Sequence, residues 1–463
     1  MHRHLALLVG LGAALITACA PEASSPAGDA TLFEGPRLIL GDGRVIENGA
    51  LRVSGGRIEA VGTVDEITAP AGSTVIDLSG KTVMPALIDA HAHLGYEGYT
   101  GWGAQYYSRD NLIDHLERYA YYGFGAVLSA GSDPDELALE LERAQASGEV
   151  GGARFLFGAG MAPPGQGPNN AFLVHVATVT EATGMTVLRG AATPEDGRAA
   201  VRDVAAQGIR FVKIWVDDRG GSQEKLAPPV YRAIIDEAHQ RGLQVLVHQQ
   251  TAEDMPDLLD AEVAGFLHGR IGPALDDALA ARIREADAFL VPNLGLGELR
   301  RERVADDPFL QETATAAVVA RMGASYDARS GPAGQGAGAA ARERELSESF
   351  SRLIEAGVDV VLGTDAGAVP DHFFGYTGHR ELEIFVRLGM TPMQAIEAGT
   401  SRPAERLGLS DVGTLVAGKS ADFVILGANP LEDIRNTRSI EAVYLRGDAV
   451  GREGLRARWI AGG

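Results

Sequence analysis

The sequence predicts an α/β protein with a (β/α)8 barrel, or TIM barrel, and a β-sandwich built from both chain ends. Three observations support this prediction. Short apolar runs alternate with helix-like segments in the middle of the chain, and strand-like segments with glycine turns flank that middle. The 463 residues, 45% of them hydrophobic, suffice for one barrel and a smaller domain. The predicted sandwich comprises residues 31–84 and 410–456, and the predicted barrel residues 85–409.

Eight strand-then-helix units are expected in the barrel. Helical segments with apolar residues at three- and four-residue spacing, such as 194–207 and 229–240, separate the strands. A doubly wound open sheet is the alternative, disfavoured because no glycine-rich phosphate-binding fingerprint follows the first strand. The Gly- and Ala-rich composition of residues 330–342 is typical of either a mobile flap or a disordered insert. The predicted strands are 87–93, 125–130, 154–158, 211–216, 244–248, 265–268, 289–292 and 359–364.

The first 30 residues are typical of an export signal followed by a tether. An apolar stretch, too short to span a bilayer comfortably, follows Arg3 and ends directly before the only cysteine, Cys19. This pattern resembles a bacterial lipoprotein signal, so we expect a signal peptide at 1–18, a lipidated Cys19 and a flexible tether at 19–30. Ala20, rather than aspartate, implies anchoring to the periplasmic face of the outer membrane. An ordinary signal peptide with a chance cysteine is the alternative.

The charge of the chain limits its partners. The formal net charge is −21, without long runs of one sign, which argues against a nucleic-acid or anionic-membrane partner. Contact with a membrane is therefore expected only through the lipid anchor. With a single cysteine, no intramolecular disulfide can form.

The strongest chemical signal is a His-x-His pair at the end of the first predicted barrel strand. Alternate residues of a strand point the same way, so His91 and His93 should both face the barrel interior at its open end. Such a pair can chelate a metal ion. A packed or surface pair without a ligand is the alternative.

Four further polar residues fall at the C-terminal ends of other predicted strands, where a barrel gathers its functional groups. Each alone has an ordinary explanation, because a histidine can hydrogen-bond within a core and an aspartate can cap a helix. Together with the His pair, six buried polar groups at one end of a barrel would be costly without a shared partner, and metal ions would supply it. The four residues are Lys213, His248, His268 and Asp365.

Lys213 is the most informative of these residues, because metal cations would repel a protonated amine. Burial and nearby cations favour the neutral amine, which can add carbon dioxide and become a carbamate, an anion able to bridge two metals. An ion pair with Asp217 or Asp365 is the structural alternative. The chain uses arginine almost everywhere else, and its lysines are Lys81, Lys213, Lys225 and Lys419.

Together these motifs resemble the amidohydrolase superfamily, and more narrowly the imidazolonepropionase-like branch that includes metal-dependent prolidases and dipeptidases. The resemblance covers nearly the whole chain after Ala30, including MPALIDAHAH at 84–93 and GTLVAGKSADFVIL at 413–426. It implies two divalent metal ions, and the mixed nitrogen and oxygen donors favour zinc, with manganese, cobalt or iron as alternatives. It assigns His91, His93 and Asp365 to the more buried metal, His248 and His268 to the more exposed one, and carbamylated Lys213 to both.

The resemblance implies hydrolysis of an amide-type C–N bond in a small molecule, with a dipeptide or an N-acyl amino acid favoured. A metal-bridged hydroxide would be the nucleophile, and Asp365 would carry its proton to the leaving nitrogen. Cyclic amides or lactones are alternative substrates. A mononuclear deaminase or imidazolone-type hydrolase is an alternative reaction, although those relatives place no lysine on the fourth strand. A non-catalytic surface binding lipoprotein is the alternative outside this class. Family members commonly form homo-oligomers, but nothing in the sequence specifies an interface.

The substrate is less well specified than the metals. In the prolidase branch a second histidine is expected shortly after the fifth-strand one, but Gln249 and Gln250 follow His248. The third-strand loop, where relatives often carry Gly-Gly-His, is Pro-Pro-Gly-Gln-Gly-Pro at 163–168. Loop packing and turn hydrogen bonds are the alternative roles of the residues near the barrel mouth. The candidates for substrate contact are Trp215, Asp217, Asn293 and His372, with Tyr376 and His379 as weaker ones.

Overall fold

The computed structural model describes residues 30–268, 275–298, 302–329 and 338–461. The predicted signal peptide, Cys19 and almost all of the predicted tether lie outside the described residues, as does most of the 330–342 segment. No helix among the described residues is long and apolar enough to cross a membrane. The strands are β1 (Thr31–Glu34), β2 (Arg37–Ile39), β3 (Val45–Ile46), β4 (Gly49–Ser54), β5 (Arg57–Thr63), β6 (Thr74–Asp77), β7 (Thr82–Pro85), β8 (Leu87–Ala92), β9 (Phe124–Ala130), β10 (Arg154–Ala162), β11 (Leu188–Gly190), β12 (Phe211–Trp215), β13 (Gln244–His248), β14 (Gly265–Leu267), β15 (Phe289–Val291), β16 (Phe423–Leu426), β17 (Ile440–Leu445) and β18 (Asp448–Ala449).

Helices follow most of the barrel strands. The two helices predicted from apolar spacing are present within a residue or so of their expected bounds, and the first begins with a capping box at Thr193. Three short 3-10 segments lie at Ala104–Tyr106, Val304–Asp306 and Ile434–Arg438. The α-helices are α1 (Arg109–Tyr121), α2 (Asp135–Ala146), α3 (Asn170–Thr183), α4 (Pro194–Ala206), α5 (Pro228–Gln240), α6 (Met255–Asp260), α7 (Asp277–Glu285), α8 (Gly295–Glu298), α9 (Pro308–Gln311), α10 (Ala316–Arg329), α11 (Gly338–Glu355), α12 (Tyr376–Arg387), α13 (Pro392–Gly399), α14 (Ser401–Arg406) and α15 (Arg452–Ala461).

Seven parallel strands form most of the barrel wall, in the order β8, β9, β10, β12, β13, β14 and β15, with the short β11 paired to the end of β10. The predicted eighth strand, 359–364, is not a regular strand. It still closes the barrel, because Val361 donates to the carbonyl of Leu290 in β15 and Ala90 in β8 donates to the carbonyl of Leu362. The parallel hydrogen-bond pattern between this segment and β8 ends at His91, whose carbonyl accepts from the amides of both Thr364 and Asp365.

Two further sheets form the sandwich. A four-stranded sheet in the order β5, β4, β1, β6 comes from the N-terminal part, and a six-stranded sheet in the order β18, β17, β16, β7, β2, β3 combines both chain ends. Apolar residues of the two sheets form one core, in which Phe33 of the first sheet contacts Phe423 and Tyr444 of the second. The predicted fold class is confirmed, whereas the domain limits at 84/85 and 409/410 stay predictions.

Gly363 lets the closing segment approach the barrel strands. A Cβ atom there would lie 2.3 Å from Cγ1 of Val291 and 3.0 Å from the amide nitrogen of His91. We expect Gly363→Ala to destabilise the fold by about 1–3 kcal/mol through overpacking, and so to lower the Tm measured by circular dichroism. Gly151→Ala is the matched control, since a Cβ at Gly151 would meet nothing within 4 Å. Equal Tm values for the two variants would contradict this account of barrel closure.

Candidate metal centre at the mouth of the barrel

The six residues predicted to bind metal lie together at the C-terminal ends of the barrel strands. Parallel strands end at the same edge, so residues far apart in the chain become neighbours there. All six side chains are buried. They are His91 in β8, His93 just beyond it, Lys213 in β12, His248 at the end of β13, His268 directly after β14, and Asp365 in the closing segment.

His91, His93 and Asp365 form the tightest part of the cluster. Nε2 of His93 lies 3.1 Å from Oδ1 of Asp365, and Nε2 of His91 lies 3.5 Å from the same oxygen. Each of the three side chains offers one ligand atom, and these three atoms all lie within 4.8 Å of one another. The three side chains could therefore hold one metal ion.

Lys213 reaches this group from β12, which is separated from β8 by β9 and β10 in the barrel wall. Its Nζ lies 3.4 Å from Nε2 of His91, and 5.5 Å from the ring centroid of Trp215. Burial lowers the pKa of the Lys213 amine to about 7; Asp365 opposes the shift and Arg219 adds to it. A large fraction of the amine is therefore neutral near pH 7, which carbamylation requires.

His248 and His268 form the other side of the cluster. Their ring centroids are 4.4 Å apart, and the His268 ring lies 4.9 Å from that of His91. Nδ1 of His268 is 3.9 Å from Oδ2 of Asp365. Nε2 of His248 lies 2.9 Å from Oδ2 of Asp217, which leaves Nδ1 as the His248 nitrogen not bonded to that carboxylate.

The donor set fits divalent metal ions. Burial lowers the pKa of His91, and likewise of the other three histidines, so these imidazoles are neutral as metal ligands must be. Burial alone would raise the pKa of Asp365, but His91, His93 and Lys213 hold it well below its usual value. The contacts of Oδ1 of Asp365 with Nε2 of His91 and His93 do not have hydrogen-bond geometry, so this buried carboxylate oxygen lacks a donor among the described residues, and a cation would satisfy it.

Two polar side chains contact the rings of His91, in β8, and His93, just beyond it. Oδ1 of Asn293 lies 3.1 Å from Nδ1 of His91, and the hydroxyl of Ser132 lies 2.8 Å from Nδ1 of His93. In both histidines Nδ1 is the contacted nitrogen, and Nε2 faces Asp365. Asn293 is a candidate for substrate contact, and its amide oxygen lies beside His91, a predicted metal ligand, as is common for groups that support metal ligands.

Removing one of these supports should weaken metal binding. We expect Ser132→Ala to lower metal affinity about 10- to 100-fold, because the His93 ring loses the contact that fixes its orientation. Competition with a chromogenic chelator would measure it. The matched control is Ser349→Ala, since Ser349 is a buried serine whose hydroxyl has no hydrogen-bond partner among the described residues. An affinity equal to that of the control would show that the Ser132 contact does not support the metal.

The remaining substrate candidates have defined surroundings. Trp215 is buried and lies beside Gly131, where a Cβ would be 2.6 Å from Cη2 of the indole. Nε2 of His372 lies 2.6 Å from the carbonyl of Thr364, while its Nδ1 is buried without a partner among the described residues. Tyr376 and His379 have partners away from the cluster: the first donates to Asp307, and the second lies between the carbonyl of Tyr122 and the hydroxyl of Thr437.

Sequence reasoning missed several residues near the cluster. Ser132 follows the second barrel strand as one polar residue among several, and Phe172 of α3 contacts the His93 ring edge-on, with centroids 5.1 Å apart. Neither has a signal in the sequence alone. Arg219, whose guanidinium lies 3.0 Å from the Asp217 carboxylate, could have been found by extending the two-residue alternation of Lys213, Trp215 and Asp217 by one step.

Comparisons with known proteins agree with this architecture. Residues 82–450 match the model of the amidohydrolase family. The chain is 28% identical to imidazolonepropionase from Deinococcus radiodurans, over 90% of this chain and 96% of that protein. It is 25% identical to ochratoxinase from Aspergillus niger, over 91% of this chain and 86% of that protein. The crystal structure of a candidate prolidase from Bifidobacterium longum is 26% identical, with a TM-score of 0.69, covering 94% of this chain and 100% of that one. The chain therefore belongs to the amidohydrolase family, as its motifs predicted, and is a hydrolase that acts on carbon–nitrogen bonds.

Proposed function

We propose that this protein is a binuclear metal-dependent amidohydrolase that cleaves the amide bond of a dipeptide or an N-acyl amino acid. The observation that carries the proposal is the meeting of the Lys213 amine with buried imidazoles and the Asp365 carboxylate. Among the described residues, no carboxylate oxygen forms an ion pair within 4.0 Å of the Lys213 amine, which instead contacts Nε2 of His91. As a carbamate, Lys213 would become a ligand like its neighbours.

The contacts support two ligand sets. His91, His93 and Asp365 would hold the more buried ion, and His248 and His268 the more exposed one. Lys213 would bridge the two after its neutral amine adds carbon dioxide, forming an N–C bond and releasing one proton. Zinc suits this mixture of nitrogen and oxygen donors.

The chain's own groups then have separate roles in hydrolysis. When bound, two divalent cations polarise the scissile carbonyl and bring the pKa of water near neutrality. Asp365 is ionised at neutral pH, so its carboxylate can accept the proton of the attacking water and return it to the leaving nitrogen. Buried walls around the cluster, including Trp215 and Phe172, limit the access of bulk water.

A screen tests the proposal directly. The soluble form lacking residues 1–19, loaded with zinc, would be assayed against dipeptides and N-acyl amino acids, with the released amine detected by fluorescamine. We expect turnover on members of this panel and about two metal ions per chain by mass spectrometry. Two bound metals without turnover would exclude the amino-acid substrates and favour cyclic amides or lactones.

A mononuclear deaminase or imidazolone-type reaction is the second candidate. It is favoured by the three-residue group that could hold one metal, and by the similarity to imidazolonepropionase over most of the chain. It predicts one metal per chain and no carbamate on Lys213. Metal content therefore separates the two candidates before any substrate is known.

We also propose that the protein is exported and held at the periplasmic face of the outer membrane through a lipid on Cys19. The apolar stretch before this cysteine supports the proposal. Metabolic labelling with a fatty-acid analogue in a bacterial host should mark the full chain but not Cys19→Ser. Equal labelling of both would contradict the anchor.

A further inference from the structure

Arg219 places a largely buried positive charge at the mouth of the barrel. It lies four residues beyond the end of β12, and its side chain is only 13% exposed. Its φ is 55°, a left-handed conformation that is uncommon for a residue with a side chain and usually depends on the surrounding structure. The fold therefore holds this guanidinium in a specific place.

Asp217 holds Arg219 and at the same time contacts one predicted metal ligand, His248. One oxygen of Asp217 accepts from the backbone amide of Arg219 at 3.0 Å, and the other lies 3.0 Å from its Nη1. That second oxygen is also 2.9 Å from Nε2 of His248. Arg219 is thus joined to the cluster through a single intervening carboxylate.

The hydrogen-bonding capacity of Arg219 is not filled by its neighbours. Nε is buried with no partner among the described residues, and Nη2 makes only a long contact of 3.4 Å with the carbonyl of Gly167. A guanidinium carries five N–H donors in a planar fork, and leaving them unpaired in a buried site is costly. An anion with two oxygens would satisfy these donors.

The charge of Arg219 also acts on the cluster. The Arg219 guanidinium and Nε2 of His248 contact the same oxygen of Asp217, so its positive charge lies next to the cluster. Two divalent cations would add further positive charge at this place. A substrate with a negative group beside its scissile bond would be favoured there over a neutral one.

The loop that departs from the family pattern contacts the loop that carries Arg219. The amide of Gly167 donates to Oε1 of Gln223 at 3.0 Å, and Nε2 of Gln223 donates to the carbonyl of Pro168 at 2.8 Å. These bonds join loop 163–168, which stands where Gly-Gly-His was expected, to the loop that carries Arg219. The two loops are therefore linked by hydrogen bonds next to the guanidinium, whose Nη2 lies 3.4 Å from the carbonyl of Gly167.

We propose that Arg219 binds the free carboxylate of the substrate, next to the scissile amide. The preferred substrates would then be N-acyl amino acids and dipeptides with an unblocked C-terminus, and neutral amides would be poor substrates. This inference rests on the proposed function and specifies its substrate class. Arg219 is here a specificity residue that contacts substrate and takes no part in proton transfer.

Matched acid and neutral ligands test the proposal. Three pairs differ only by the carboxylate: N-acetylglycine and N-methylacetamide, N-acetyl-L-leucine and N-isopentylacetamide, and N-acetyl-L-phenylalanine and N-phenethylacetamide. With the zinc-loaded enzyme we expect kcat/KM for the better acids to exceed that for their neutral partners about 10- to 100-fold, mainly through KM. Arg219→Gln should bring this ratio toward one, and Arg219→Lys should keep part of it.

The ratio distinguishes recognition from a structural defect. A variant that merely distorts the site would lower both rates and leave the ratio intact, and that result would overturn the proposal. A wild-type ratio near one would overturn it while the proposed hydrolase function stands.

If none of these compounds is hydrolysed, calorimetric titration can still measure how tightly each acid and its neutral partner bind. Binding of the acids that depends on Arg219, without turnover, would support the carboxylate site and contradict the proposed reaction. No binding of any acid to the zinc-loaded protein would overturn the inference.

Discussion

Replacing Lys213 by alanine is expected to lower kcat/KM by more than about 100-fold, and the metal content from about two ions per chain to one or fewer. Nζ of Lys213 lies 3.4 Å from Nε2 of His91, so its carbamate would stand among the other ligands. The alanine side chain offers no donor atom. Steady-state kinetics and metal analysis of the purified protein measure both effects.

Lys213→Arg tests whether activity requires a carbamate at this position or only a positive charge. Arginine keeps the charge and much of the length but cannot form a carbamate, so we expect it to be as inactive as alanine. A ¹³C carbamate signal after incubation with labelled bicarbonate should appear in the wild type and be absent in Lys213→Arg. Lys225→Arg, at an exposed ion pair with Asp254, controls for the substitution itself. An active Lys213→Arg enzyme would exclude the carbamate.

Asp365→Asn is expected to lower kcat about 10²- to 10⁴-fold while the metal content stays near that of the wild type. Asparagine keeps an oxygen toward the metals but cannot accept and return a proton. It also suits the backbone, because Asp365 has a φ of 60° and asparagine tolerates this left-handed conformation better than alanine does. Single-turnover kinetics would show the loss in the chemical step.

The control for this substitution is Asp287→Asn. Asp287 also has a left-handed backbone, with a φ of 54°, but it pairs with Arg406 away from the cluster. It should keep full activity. An unchanged kcat in Asp365→Asn would remove this carboxylate from the mechanism, and loss of both metals would make it a ligand alone.

Much of the fold was predictable from local sequence. β13 has the predicted bounds, and β12 ends one residue earlier than expected, since apolar runs bounded by turns are clear signals for buried parallel strands. The closing segment was less predictable. It has the apolar composition of a strand, but the close approach at Gly363 and the left-handed Asp365 depend on its neighbours in three dimensions.

The part of the site that lies at the ends of predicted barrel strands could be predicted from the sequence. The side chains of His91, Lys213 and Asp365 meet as their positions predicted, although their roles as ligands stay predictions. Their supports were not predictable, because Ser132 and Asn293 act through contacts with other elements. Polar residues in loops are common, and which of them face a ligand is decided by tertiary packing.

The position of β7 in the six-stranded sheet has a consequence for how the chain folds. Met84 of β7 pairs with Val424 of β16, positions that are 340 residues apart. The two strands are far apart in sequence, so their pairing cannot form until nearly the whole polypeptide is available. Until then one edge of β7 stays open to pairing with other chains. A chain truncated before β16 should therefore aggregate, and a holding chaperone would protect the full-length chain until its last strands arrive.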